Sequence, residues 1–326
     1  MRRTLFLLAA LLLPGLAAAQ EAPWPSRPIT LLGGFPNSSG VDLYQRRLAE
    51  PLSRALGVPV VVDNRSGAGG NIASALVARA RPDGTLFLLA TAGTHAINAT
   101  LYRNLGFDPF RDVTHIAHLG DVPNILLING ARHPDWRSCR DLVAAARARP
   151  GAISYASTGN GASTHLAGAR FARAAGIEML HVPFLGQPMA VTSLLNGDVD
   201  VFVNQVGPAL TLLQDASIRA LGVTTATRVS AVADVPTMAE ACDLPGFESS
   251  TWYGVVAPPN LPEAIQTRMN AEINRIISEP SFRAWLVDSQ GIIPPTATTP
   301  AAFRAVHQAD MARWAQAVRE SGATVD

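Results

Sequence analysis

Ile29-Thr30-Leu31-Leu32, closed by Gly33-Gly34, is the first of three short, continuously apolar runs; Val58-Pro59-Val60-Val61-Val62 and Leu86-Phe87-Leu88-Leu89-Ala90 follow. Runs of this length that do not alternate with polar residues suit strands covered on both faces, as in a parallel sheet. Between the runs, Val41, Tyr44, Leu48, Leu52 and Leu56 recur at helical spacing, and Ile72, Ala75, Leu76 and Ala80 do so again. Pro51 is expected to kink the first of these helices. The unit reads βαβαβ, hence a parallel sheet with right-handed crossovers.

The same alternation restarts downstream. Strands are expected at 125–128, 153–156, 179–184, 199–203 and 218–224, with helices at 135–149, 164–175, 188–195 and 208–213. A further apolar strand at 251–257 precedes helical patterns at 262–278, 281–289 and 300–320. Two α/β units in tandem imply two lobes, each a mainly parallel sheet flanked by helices. The late strand and its helices fit a chain returning to its first lobe. The expected organisation is therefore residues 20–122 with 248–326 as one lobe and 123–247 as the other.

Composition removes many function classes. The chain has 326 residues with 48% hydrophobic and 16% charged side chains, enough to bury a large core. Its net charge of +1 comes without a basic tail, so nucleic acid is not an expected partner. All 26 basic side chains are arginines. Without lysine there is no P-loop, no Schiff base and no Ser/Lys dyad.

Met1-Arg2-Arg3, the apolar stretch 4–16 and Ala17-Ala18-Ala19 have the layout of a secretory signal cleaved before Gln20. Pro14 and Gly15 interrupt the stretch, which falls short of the roughly 20 residues a membrane span needs. A periplasmic product is expected. Export permits a bond between Cys139 and Cys242, the only cysteines, but two buried free thiols fit the sequence at least as well. Neither a CxxC redox site nor a thiolate metal cluster can be built from them.

Catalytic patterns fail one by one. His115 and His118 lie in an apolar, extended stretch, where three-residue spacing puts side chains on opposite faces, so they do not share a metal. No G-x-S-x-G elbow occurs. Ser163 and His165 are adjacent in sequence but do not face each other on a helix. Ser66-Gly67-Ala68-Gly69-Gly70-Asn71 lacks the third glycine of a dinucleotide fingerprint, since Ile72 stands there, and reads as a tight turn opening a helix. No metal or cofactor is expected.

Four loops at the carboxyl ends of expected strands are rich in small, hydrogen-bonding residues, and that is where open α/β sheets place ligands. They are Phe35-Pro36-Asn37-Ser38-Ser39-Gly40, Thr91-Ala92-Gly93-Thr94-His95, Ser157 through Thr164, and Asn204-Gln205-Val206-Gly207-Pro208. Helix starts present unpaired N–H groups and the positive end of the macrodipole, so a few converging on one cleft hold an anion without cationic side chains. No arginine occurs between Gly33 and Gln45, Thr91 and Tyr102, or Ala156 and Ala169. A carboxylate gripped by backbone is the expected ligand chemistry. Turn-making and helix capping are the plainer account of any one such loop.

Certain segments carry a family resemblance: Val61-Val62-Asp63-Asn64-Arg65 leading into Gly67-Ala68-Gly69-Gly70-Asn71-Ile72, then Pro82-Asp83-Gly84, His95-Ala96-Ile97-Asn98 and Tyr155-Ala156-Ser157-Thr158-Gly159-Asn160-Gly161. His181-Val182-Pro183-Phe184, Asp234-Val235-Pro236-Thr237 and Trp252-Tyr253-Gly254 complete the set. The chain resembles the Bug family of periplasmic solute-binding proteins, the TctC-type receptors of tripartite tricarboxylate transporters. The resemblance implies a two-lobed, type II-like clamshell with the ligand enclosed at the hinge and loops one and three acting as pincers. Two departures stand out. The first loop usually reads Phe-Pro-Pro-Gly-Gly, and Asn204 occupies a position often held by an acid.

The resulting expectation is a monomeric, non-enzymatic receptor for a small di- or tricarboxylate or another organic acid, serving transporter membrane subunits or a sensor. A carboxylate without an amino group is favoured by the neutral Asn204. Phe35 and Pro36 would pack on the ligand's carbon frame with Phe184 nearby, and Asn37, Ser38 and Ser39 would hold one carboxylate. Thr91, Ala92, Gly93 and His95 would supply the second loop's groups. Thr158, Asn160, Gly161, Ala162, Ser163 and Thr164 would hold the other carboxylate, and Asn204 would add a side-chain contact. The competing reading is an exported α/β hydrolase with Ser163 as nucleophile and His165 or His95 as base.

Overall fold

The computed structural model describes residues 24–37, 39–295 and 298–325. The signal read at 1–19 and the site residue Ser38 lie outside the described residues. Lobe 1 opens with β1 (Ile29–Gly33), α1 (Gly40–Leu56), β2 (Val60–Asn64), α2 (Asn71–Ala78), β3 (Leu86–Thr91), α3 (Asn98–Leu101) and β4 (Thr114–Val122). Lobe 2 holds β5 (Asn124–Asn129), α4 (Cys139–Ala148), β6 (Ser154–Ser157), α5 (Ser163–Ala175), β7 (Leu180–Pro183), α6 (Gln187–Asn196), β8 (Val201–Gln205), α7 (Val206–Leu212), β9 (Ile218–Val223) and α8 (Met238–Ala241). The chain then returns to lobe 1 as β10 (Thr251–Ala257), α9 (Glu263–Ser278), α10 (Pro280–Ala284) and α11 (Pro300–Ser321).

The two sheets share one plan, β2-β1-β3-β10-β4 and β7-β6-β8-β5-β9. In each, the first three strands are parallel, as the apolar runs imply. The fourth strand runs antiparallel to both neighbours, and it is in each case a strand that has just crossed between lobes, β10 in lobe 1 and β5 in lobe 2.

Local chemistry sets the boundaries. β2 begins at Val60, two residues later than expected, because Pro59 has no N–H to donate and only its carbonyl joins the ladder, to Ile29 N–H at 2.9 Å. α1 runs through Pro51 to a left-handed Gly57 cap. The turn at 67–70 has positive φ throughout, Ala68 included, and opens α2, as the glycine run implies.

One expectation is corrected and one open alternative is decided. His115 and His118 both face Phe303, with ring centroids 5.3 and 5.8 Å away. The register of β4 on β10 slips between Val255 and Val256, so Ile116 is an extra residue that turns the two histidines to the same side. Cys139 and Cys242 are not free thiols: they form a disulfide between α4 and α8, with Cα atoms 5.1 Å apart. The adjacent Arg140 guanidinium donates to both Asp243 oxygens at 2.6 Å.

The bond closes a sequence separation of 103 residues inside lobe 2. Chain-entropy arguments give such a closure about 2–5 kcal/mol. Cys139→Ser with Cys242→Ser is therefore expected to lower unfolding free energy by about that amount in chemical denaturation, while ligand affinity stays within a fewfold, since the bond joins outer helices.

Candidate functional site

Three of the four loops meet at Tyr253. β10 carries Tyr253 opposite Thr91, the last residue of β3 and the start of the second loop. The Gln205 side chain, from the end of β8 in lobe 2, donates a hydrogen bond to the Tyr253 hydroxyl. α1 begins against the same hydroxyl: a methyl group on Gly40 would lie 3.0 Å from Tyr253 Oη and 4.0 Å from Gln205 Oε1. Burial pushes the phenol up to about 12, so it remains a neutral hydroxyl. Neither Tyr253 nor Gln205 was singled out as a site residue from sequence. The signal was present in Trp252-Tyr253-Gly254, where Gly254 is required because Phe303 fills the space a side chain would take.

Loop one is built for capping. Ser39 N–H donates to Pro36 O at 3.2 Å, and Ser39 Oγ accepts the Asp42 N–H at 3.2 Å. Asn37 Oδ1 accepts from Asn64 Nδ2 at 2.9 Å, which leaves the Asn37 amide nitrogen exposed. Phe35 is half-buried beside Gly70, whose missing side chain makes room for the ring and for Thr94. Loop two is held by reciprocal bonds at 3.1 Å, Thr91 N–H to Thr94 Oγ1 and Thr94 N–H to Thr91 Oγ1. Ala92 is fully buried, and His95 does not line the loop surface: its ring is in the lobe 1 core, near Phe107 and His307, with Nδ1 on Thr94 Oγ1 at 2.7 Å.

Loop four begins at Asn204, 1% exposed, near the end of β8. Its Oδ1 accepts the Gln205 N–H at 2.9 Å, which assigns the other amide atom as nitrogen, and that nitrogen has no acceptor among the described residues. A buried donor without a partner costs about 1–3 kcal/mol. An aspartate at this position would present no donor at all.

Loop three repeats the threonine arrangement, with Thr158 N–H donating to Thr164 Oγ1 at 3.0 Å. Part of its donor set is committed elsewhere. Asn160 Nδ2 donates to Thr324 O at 2.7 Å, in the C-terminal tail of lobe 1, and Gly161 packs directly on Leu101 at the end of α3. Gly161 N–H donates to His165 Nδ1 at 3.0 Å. Ser163 stays half-buried at the first turn of α5, where N–H groups lack intrahelical acceptors. Phe184 N–H donates to Ser157 O at 3.1 Å and brings the loop after β7 alongside. Among the described residues no side-chain hydrogen bond joins loops one and three. The segment from Thr91 to Leu101 links them, touching Tyr253 at one end and Gly161 at the other.

The hydrolase arrangement is not present. His165 uses Nδ1 on Gly161 and stacks on His181 with centroids 3.6 Å apart, and His95 lies in the other lobe. Among the described residues no carboxylate hydrogen-bonds to either ring, and no group of three or more ligand-type side chains could hold a metal.

The family model for the tripartite tricarboxylate transporter family receptor, TctC, matches residues 44–322. The BugT protein of Bordetella pertussis is 33% identical over 311 residues, covering 95% of this chain and 94% of BugT. Among solved structures, R. palustris Rpa4515 with adipate superposes with TM-score 0.82 at 32% identity, covering 92% of this chain and 99% of that one. MatC from Rhodopseudomonas palustris with bound malate gives TM-score 0.78 at 28% identity, covering 90% and 100%. The motifs, the paired sheets and these matches agree: the chain belongs to the TctC receptor family of tripartite tricarboxylate transporters, the Bug-type solute-binding proteins.

Proposed function

We propose that this receptor captures a small dicarboxylate between lobes 20–122 with 248–326 and 123–247, after export and removal of residues 1–19. The observation that carries the reading is the Asn204 amide nitrogen, a buried donor lacking an acceptor in the loop whose neighbour, Gln205, ties lobe 2 to Tyr253. A carboxylate oxygen satisfies that donor. Loop one contributes the exposed Asn37 amide and the start of α1, and loop three the first turn of α5. Adipate and malate, named with two of the structural relatives, are both dicarboxylates of suitable size. Lobe closure is coupled to binding because only the closed form joins contacts from both lobes. The family match supports delivery to membrane subunits of a tripartite transporter, with a sensor as the alternative recipient.

Asn204→Asp removes the donor and sets a second anion against the ligand. It is expected to weaken binding of malate or adipate by at least about tenfold in titration calorimetry. Asn204→Ala, which loses only the donor, is expected to cost about tenfold or less. An unchanged affinity in Asn204→Asp contradicts the placement of the carboxylate.

The same reading assigns no chemistry to Ser163, which has no base. Ester substrates are expected to show no turnover above buffer with the wild type or with Ser163→Ala. Hydrolysis abolished by Ser163→Ala would establish the enzyme instead.

A further inference from the structure

Behind the third loop, on the side away from α3, two imidazoles stack face to face: the His165 and His181 rings are 3.6 Å apart and 1° from parallel. The Gly161 hydrogen bond defines the His165 tautomer. His165 Nδ1 accepts the Gly161 N–H at 3.0 Å, so its proton is on Nε2. Ser157 Oγ lies 2.7 Å from His181 Nε2 and 3.1 Å from Gly159 O, so it hydrogen-bonds the second ring as well as its own loop. Each ring therefore holds one end of the loop, and each can do so while neutral.

We infer that His165 is a positioning residue for the ligand loop: its neutral Nδ1 fixes the Gly161 amide, and protonation there releases the loop and lowers ligand affinity. The inference rests on the reading of residues 157–164 as ligand-binding. Protonated His165 has a donor where Gly161 needs an acceptor. Protonated His181 can donate Nε2–H to Ser157 Oγ, a hydroxyl able to accept it, so only His165 converts proton uptake into a broken loop contact. Burial pushes both imidazoles down to about 4, and at His165 the facing His181 adds to this. A cation on one ring opposes a second on the other.

Protons have a route in. A groove of about 490 Å³ opens on the two rings. The ionisable groups facing it are Tyr155 from β6, His181 from β7, Arg173 from α5, Glu178 from the turn before β7, and Glu320 from α11. Arg173 and Glu320 pair with each other at 3.3 Å across the lobes, and burial raises the Tyr155 phenol well beyond physiological pH. His165 is thus left with His181 as its charged neighbour. The sign is set by the depressed imidazole: the loop bond is intact near neutral pH and is lost as pH falls through about 4.

Two amide variants separate positioning from packing. His165→Asn puts its oxygen where Nδ1 stands and cannot titrate, whereas His165→Gln reaches to the Nε2 position and leaves Gly161 without an acceptor. With malate and adipate as probes near neutral pH, His165→Asn is expected to bind within about threefold of wild type and His165→Gln about tenfold more weakly. At about pH 4, where half the His165 rings are protonated, the wild type should lose affinity relative to His165→Asn by about twofold, rising to about tenfold one pH unit lower, since the ligand's own protonation acts equally on both. A wild-type to His165→Asn ratio that does not change with pH, or a His165→Gln as tight as His165→Asn, overturns the inference. If neither probe binds the wild type, the dicarboxylate reading fails. The inference is then decided by imidazole nitrogen NMR of the free protein. A bare Nδ1 on His165, with a Gly161 amide signal that moves as that ring titrates, upholds it, and a protonated Nδ1 at neutral pH refutes it.

Discussion

One buried hydroxyl, that of Tyr253, constrains the geometry of the cleft. It is placed by β10, the strand that has just returned from lobe 2, and it receives the Gln205 side chain from the strand end of that lobe. α1 starts against it without room for a side chain at Gly40. A position fixed by covalent connectivity, sheet register and an interlobe hydrogen bond at once leaves little freedom for the loops around it. Those loops are then preorganised, and preorganisation lowers the entropic cost of binding.

In the proposed reading an anion is held with very little cationic help. Arginines near the loops are engaged with neighbouring carboxylates, Arg46 with Asp42 and Arg65 with Asp63. The donors proposed instead are amides: the Asn204 and Asn37 side chains and the backbone at the starts of α1 and α5. Such donors are aimed by short local bonds, chiefly the Thr91–Thr94 and Thr158–Thr164 pairs, which recur in the two lobes. Fixed dipoles of this kind discriminate by geometry, whereas a free ammonium or guanidinium would attract any anion.

Much of the fold was legible because continuous apolar runs and helical spacing are local signals. β1, β3 and β10 fall within a residue of where those runs place them, and the two-lobe plan follows from their repetition. What escaped depended on contacts distant in sequence. The bulge at Ile116 is set by β10, 140 residues on, and reverses a face assignment that regular alternation would fix. The disulfide required knowing that α4 and α8 lie side by side. The loops themselves were readable from their composition, but not their second partners. Asn160 gives one of its two amide protons to the tail carbonyl of Thr324, and the His95 ring lies in the core, partners that local composition does not reveal.

The central claim is that oriented amides, assembled by lobe closure, recognise carboxylates. It is tested most directly by calorimetry combined with solution scattering, using malate and adipate against their diamides. The account predicts that at least one dianion binds and shrinks the radius of gyration, while the corresponding diamide does neither at the same concentration. Equal binding of the diamide, or tight dianion binding with no compaction, would contradict it.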